Sequence, residues 1–195
     1  MSGMSRWVRI GPIQLNVMSL GTPVILAIVA RFRNASLGIY RLALILAAAA
    51  CLAFAPDLSQ ATALTAGFIV LLSQRAKIGS GDAGTLIFLL AACTIAYRSD
   101  VQLPPVPHVE RIYEMAHGIS PFLGILSFIA PLLIGMSPLL RGRDIPSAAC
   151  AVCLTVPVLF SYTKLWPVPF IGYGASPILA AASAITILSA KPRIN

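Results

Sequence analysis

Apolar runs of roughly 15–20 residues recur along this chain, each closed by a short polar or Pro/Gly-bearing stretch. Seven such runs can be marked, at residues 13–30, 42–55, 60–73, 83–97, 121–140, 146–162 and 175–190. Each is near the length that carries a helix across a hydrocarbon core of ~30 Å. Backbone groups in lipid must be satisfied within their own segment, so such runs are expected as helices. The segments of about ten residues with strict alternation that mark a membrane barrel are absent. The pattern therefore predicts an all-α fold, a polytopic transmembrane helix bundle of about seven spans, with residues 1–195 as a single membrane domain. Small residues crowd 47–50, 61–67 and 180–184, where they let helices approach closely. No internal repeat stands out.

Composition strengthens that picture. Hydrophobic residues make up 58% of the chain and charged residues 10%. A soluble domain carries roughly 25% charged residues, so this chain lacks the charge to cover a soluble surface. The net charge of +8 would point to nucleic acid in a soluble protein. Here the basic residues stand singly or in pairs between apolar runs, without interleaved aromatics, so they are read as orientation signals and no nucleic-acid partner is expected. With the C-terminus cytoplasmic, that side holds nine basic residues: Arg31, Arg33, Arg41, Arg75, Lys77, Arg141, Arg143, Lys191 and Arg193. The outer side then holds five: Arg6, Arg9, Arg98, Arg111 and Lys164. The bias predicts a cytoplasmic C-terminus and an external N-terminus. Residues 1–12 form an external basic segment without a signal-peptide pattern, and an external start with no helix before it points to helices upstream.

Candidate chemistry collects on the outer side. The external loop 98–120 holds His108, Glu110, Arg111 and Glu114. A carboxylate beside an imidazole and a guanidinium can act as general base for a hydroxyl nucleophile. Glu110 and Glu114 stand four apart and would share one helix face. The plainer alternative is a solvated interfacial helix start. The second unusual stretch is 164–174, broken by Pro167, Pro169, Gly172 and Gly174. It reads either as a re-entrant loop against a groove or as an interfacial turn. The apolar runs carry no ionisable carboxylate, lysine, arginine or histidine, which argues against a proton-coupled transporter. Cys150 and Cys153 form a CxxC with no second pair or nearby His, so no metal site is expected, and they read as small buried residues between helices. No cofactor is implied.

Four stretches resemble a known family. Residues 166–176, WPVPFIGYGAS, resemble the GIPLPFISYGGSS signature of the SEDS family, the FtsW/RodA/SpoVE proteins of bacterial cell division and cell shape. Residues 6–12, RWVRIGP, resemble its RWIRLGP segment. Pro56-Asp57-Leu58 followed by Ala61-Thr62-Ala63-Leu64 resembles QPDLGTAL, and residues 105–113, PVPHVERIY, resemble PExHTDFIF. The resemblance covers the whole chain and matches it to the C-terminal seven helices of the family fold. It implies a multi-pass protein of the bacterial inner membrane. It also implies a glycosyltransferase that polymerises lipid II beside a penicillin-binding transpeptidase, with membrane lipids as surroundings. Residue by residue, it implies Glu110 as the general base with His108 beside it, and substrate binding by Arg6, Trp7, Arg9, Asp57, Arg111, Pro169, Tyr173 and Ser176.

The chain also departs from the family pattern. Glu110 stands where the family has its essential acid in HTDFIF, one methylene longer. The SELAK segment falls on residues 18–22, with Ser19 for the acid and Thr22 for the lysine, and the acidic pair of EELG falls on Gly118 and Ile119. A threonine cannot supply the charge that a lysine lends to a pyrophosphate. The resemblance with these departures predicts a reduced, non-catalytic member of the cell-wall machinery. The alternatives are an active polymerase using Glu110, and an unrelated small transporter or subunit of a membrane complex.

Overall fold

Asn16 ends a strand and begins a helix, and this is the first departure from the expected runs. In the computed structural model, residues 7–10, 13–31, 38–54, 57–75, 77–99, 111–163, 169–170 and 175–190 are described. Strand β1 (Trp7–Ile10) pairs antiparallel with β2 (Ile13–Asn16), from Trp7 opposite Asn16 to Ile10 opposite Ile13. The first apolar run was expected to be helical from residue 13, but its first four residues pair in this ribbon and the helix starts at Val17. The Asn16 side chain supplies the reason. Its Oδ1 accepts the N–H groups of Met18 and Ser19, each at 3.0 Å, which satisfies two donors that the first turn leaves open.

The other regular elements among the described residues are helices. The order is α1 (Val17–Arg31), α2 (Gly38–Phe54), α3 (Leu58–Leu72), α4 (Ser80–Ser99), α5 (Ile112–Ile119), α6 (Pro121–Gly135), α7 (Pro138–Arg141), α8 (Ile145–Ser161) and α9 (Ser176–Ser189). Every apolar run contains one long helix, with ends shifted by a few residues. The run 121–140 is the exception, because it breaks after Gly135 and restarts at Pro138. Pro138 has no N–H to continue the ladder, and it suits the first turn of a new helix. Helix α4 is long and apolar enough to cross a membrane; α1, α3, α6, α8, α9 and the 42–53 part of α2 are shorter apolar helices of 10–17 residues.

Helix α3 lies at the centre. It packs chiefly on α8 and also on α1 and α4, while α1 runs beside α9. Gly67 allows the tightest of these approaches. A Cβ there would run into Leu26 Cδ2 and would meet the Ala149 carbonyl oxygen at 3.0 Å and Cys153 Cβ at 3.2 Å. The core around it is Leu26, Leu52, Leu64, Phe68 and Leu89 interleaved with alanines 48, 49, 61, 63, 92, 96 and 149. Cys150 and Cys153 are buried on α8 between helices, as the sequence suggested.

The outer helices invert the usual arrangement. On α6 the buried positions are Gly124, Pro131 and Gly135, while Phe122, Ile125, Leu126, Ile129 and Leu133 are exposed. On α4 the inward residues are Thr85, Leu89, Ala92 and Ala96, and Ile87, Phe88, Leu90 and Ile95 face out.

Candidate functional site

Three helices begin at the same end of the bundle, and their first turns are joined by one chain of buried hydrogen bonds. The Asn16 N–H donates to Ser176 Oγ at 2.8 Å, which ties β2 to the start of α9. Asn16 Oδ1 holds the Ser19 N–H on α1. Ser19 Oγ accepts from Gln60 Nε2 at 3.2 Å, which reaches α3. The Gln60 N–H donates to Asp57 Oδ1 at 3.2 Å, and the Ser59 hydroxyl donates to the same oxygen at 2.7 Å. Asn16 and Ser176 are 0% exposed and Asp57 is 1% exposed, so these are desolvated groups that need their partners. Asn16 Nδ2 is the exception, a buried donor without an acceptor among the described residues.

The same end receives the turn at Pro169 and Phe170, both buried. Phe170 packs with Leu154 and Val158 of α8 and Ala180 and Ala181 of α9, next to Leu20 and Tyr162. Its φ of 67° lies in the left-handed region, which a side chain with a Cβ adopts only when its surroundings force it.

Helix α5 joins this end through the last turn of α8. Tyr113 Oη and Ser161 Oγ share a hydrogen bond of 2.9 Å. Burial pushes the Tyr113 phenol above its ordinary range, and the bond with Ser161 pulls part of that back. The Tyr113, Phe128 and Tyr162 rings cluster, Phe128 stacking on Tyr162 at 4.0 Å between centroids, and the Tyr162 hydroxyl donates to the Phe128 carbonyl at 2.8 Å. Between α5 and α6 lies an open crevice of about 680 Å³, with Glu114, His117 and Tyr113 on one wall and Ile125 and Phe128 on the other. Gly124 lets the two helices close at its base, because a Cβ there would meet His117 atoms within 3.0 Å.

The expected site residues fall into four groups. Asp57 and Ser176 meet in one hydrogen-bonded network, and Pro169 packs at the same end. Arg111 stands outside the network, exposed, at the start of α5, one turn from the crevice. Trp7 and Arg9 lie on β1, which pairs with the strand that carries Asn16. Arg6, His108, Glu110 and Tyr173 lie outside the described residues, as does the expected pairing of Glu110 with Glu114 on one helix face.

Sequence reasoning missed Asn16, Ser59, Gln60 and the Tyr113–Ser161 bond as parts of this end. Local signals existed for some of them. Asn16 immediately precedes an apolar run, and Asp57-x-x-Gln60 has the spacing of a capping box, so both read as helix starts. The Asn16–Ser176 bond spans 160 residues and has no local signal.

No family model, no curated protein and no solved structure matches the chain.

Proposed function

We propose that this chain is a multi-pass protein of the bacterial inner membrane, a SEDS-like component of cell-wall synthesis, cell division or cell shape that does not itself polymerise glycan. The observation that carries the reading is the hydrogen-bonded chain from Ser176 through Asn16, Ser19 and Gln60 to Asp57. It joins Ser176 and Asp57, which belong to two of the four stretches on which the family resemblance rests, and these are far apart in sequence. The strained Phe170 sits within the longest of them.

Two features support placement in a membrane. Large apolar side chains point outward on α4 and α6 while, Leu89 and Pro131 aside, small residues pack inward, the arrangement expected where lipid is the solvent. Basic residues also segregate. Arg31, at the end of α1, donates to the Ile187 carbonyl near the end of α9, and Ala30, Cys150 and Leu188 cluster beside them. Arg75 and Lys77, after α3, and Arg141, before α8, belong to that same end, opposite Asp57 and the network. The helices of 14–17 residues reach about 21–26 Å at ~1.5 Å per residue. A bilayer accommodates a shortfall of that size by thinning and by snorkelling of flanking residues.

The lack of polymerase activity follows from the inward-turned groups. Ser19 accepts from Gln60, and the Thr22 hydroxyl donates to the Met18 carbonyl at 2.7 Å. Both are buried and spent on the fold, at the positions where the family carries an acid and a lysine. The test is a polymerisation assay with purified chain and lipid II, run beside a full-length family member. No glycan product is expected from this chain, and a penicillin-binding transpeptidase should co-purify with it from membranes. Product that disappears with Glu110→Gln would instead establish an active polymerase. Recovery without any envelope partner would remove the cell-wall role.

A further inference from the structure

A cavity of about 880 Å³ lies at the basic end of the bundle, away from the network. Val29 of α1, Ile45 of α2, and Phe68 and Leu72 of α3 form its apolar wall. Arg75, Lys77, Ser80 and Gly81 form its polar rim, where α3 hands over to α4.

We infer that this cavity holds one anionic phospholipid, with its phosphate at Lys77 and the first turn of α4 and an acyl chain along the apolar wall. The inference rests on the membrane placement proposed above but is independent of the cell-wall role. Three observations carry it.

The lining is divided. Free phosphate would leave the apolar wall unused, and a neutral apolar ligand would not account for cations at the rim. An amphiphile with an anionic head uses both.

The rim charge is available. Asp82, also in the lining, is the one carboxylate there, and it is already held by an ion pair with Arg75 and by the Gly79 N–H at 3.2 Å. Lys77 is exposed and has no ion pair among the described residues, so it is the cation left to meet an anion.

The backbone at the rim is open. A Cβ at Gly81 would meet nothing within 4 Å, and at Gly79 only Asp82 Oδ2 at 3.8 Å. The Asp82 and Ala83 N–H groups already donate to the Gly79 carbonyl, at 3.0 and 3.1 Å, so the N–H groups of Ser80 and Gly81 are those the first turn offers to a phosphate, at the positive end of the helix dipole. Arg31 and Arg141 share this end of the bundle. Positive residues mark the cytoplasmic side, where the leaflet is rich in anionic lipid.

The experiment uses the full chain purified in a nonionic detergent. Its thermal unfolding is followed while phosphatidylglycerol, phosphatidylcholine or inorganic phosphate is titrated in. Phosphatidylglycerol is expected to raise Tm saturably, and the other two to leave it near its starting value. Lys77→Gln, at an exposed position, is expected to keep the unliganded Tm and to weaken the apparent affinity for phosphatidylglycerol about five-fold, while Lys77→Arg restores it. An equal response to phosphatidylcholine overturns the inference, as does an equal response to inorganic phosphate or an unchanged affinity in Lys77→Gln. Alkaline washing of membranes separates the two layers of the argument. Release of the chain into the supernatant removes the membrane placement itself. Retention without preference for the anionic lipid removes only the lipid site.

Discussion

Asn16 joins three pieces of structure: its N–H reaches Ser176, its Oδ1 caps α1 and its place at the end of β2 closes the ribbon, while its Nδ2 has no hydrogen-bond partner among the described residues. Replacing it separates these roles. Asn16→Ala removes the cap and should lower stability by about 1 kcal/mol, within the usual range for lost caps. Asn16→Ser retains a capping oxygen and discards the unpaired donor, so its loss should be under half as large. Thermal unfolding of both variants in detergent checks this, and equal losses would mean that the cap does not hold α1. Gly67 and Gly84 form a second contrast. Gly67→Ala brings a methyl against the Ala149 carbonyl and Leu26, and it should cost about 1–3 kcal/mol because backbone cannot yield easily. Gly84→Ala, in an open part of α4 where nothing lies within 4 Å, should instead stabilise by about 0.5–1 kcal/mol. Unfolding midpoints that move in the same direction for the two variants would contradict the packing described at Gly67.

Single elements show where the sequence could be read and where it could not. The apolar runs gave the long helices because a sustained run ended by Pro, Gly or charge leaves little choice of element. Residues 13–16 escaped that reading because Ile-Gln-Leu-Asn continues the apolar run, while its alternation is equally that of a strand. The partner that decides the matter, β1, carries arginine and tryptophan, which the sequence presents as a basic segment with candidate binding residues and no sign of a strand. Within the candidate site, Asp57 was legible because it starts a helix. The contact between Ser176 and Asn16 was not, because it depends on how α1 and α9 come to lie side by side. Helix α8 offers a pH test of an element. Asp144 Oδ1 accepts the Ser147 N–H at 2.8 Å, and Oδ2 accepts from Arg141 at 2.8 Å. Burial alone would raise its carboxyl, but the bonds from Ser147 and Arg141 outweigh that and hold it below its ordinary value. A carboxyl lowered by folding contributes stability that is complete above its unfolded value, near pH 4, and is lost as pH falls through the folded value. Asp144→Ala should therefore lower Tm at pH 7, by an amount worth about 1 kcal/mol. The gap from the natural chain should close as pH falls below about 4. A gap that stays constant down to pH 3 would show that the charge of Asp144 contributes nothing to the cap.

At the scale of the whole molecule, lipid and water make opposite demands on the same exposed face. In water, the outward leucines and isoleucines of α6 would be an exposed apolar face that water does not solvate well. In lipid, the same surface is the solvated one, and the inward glycines and proline allow α6 to close on α8, with Gly135 against Thr155. Leu126 lies near the middle of α6 and is 49% exposed, whereas Leu140 is 90% exposed at the basic end beside Arg141. Placing arginine at the centre of a span costs about 2.5–3.5 kcal/mol on insertion scales, and near the interface the side chain can reach water. Leu126→Arg should therefore reduce the amount of chain recovered in alkaline-washed membranes at least several-fold, while Leu140→Arg should leave it near the natural level. A water-surrounded α6 would give the reverse, with Leu126→Arg improving recovery in the soluble fraction. The position of the arginine along the run 121–140 thus distinguishes the two solvents.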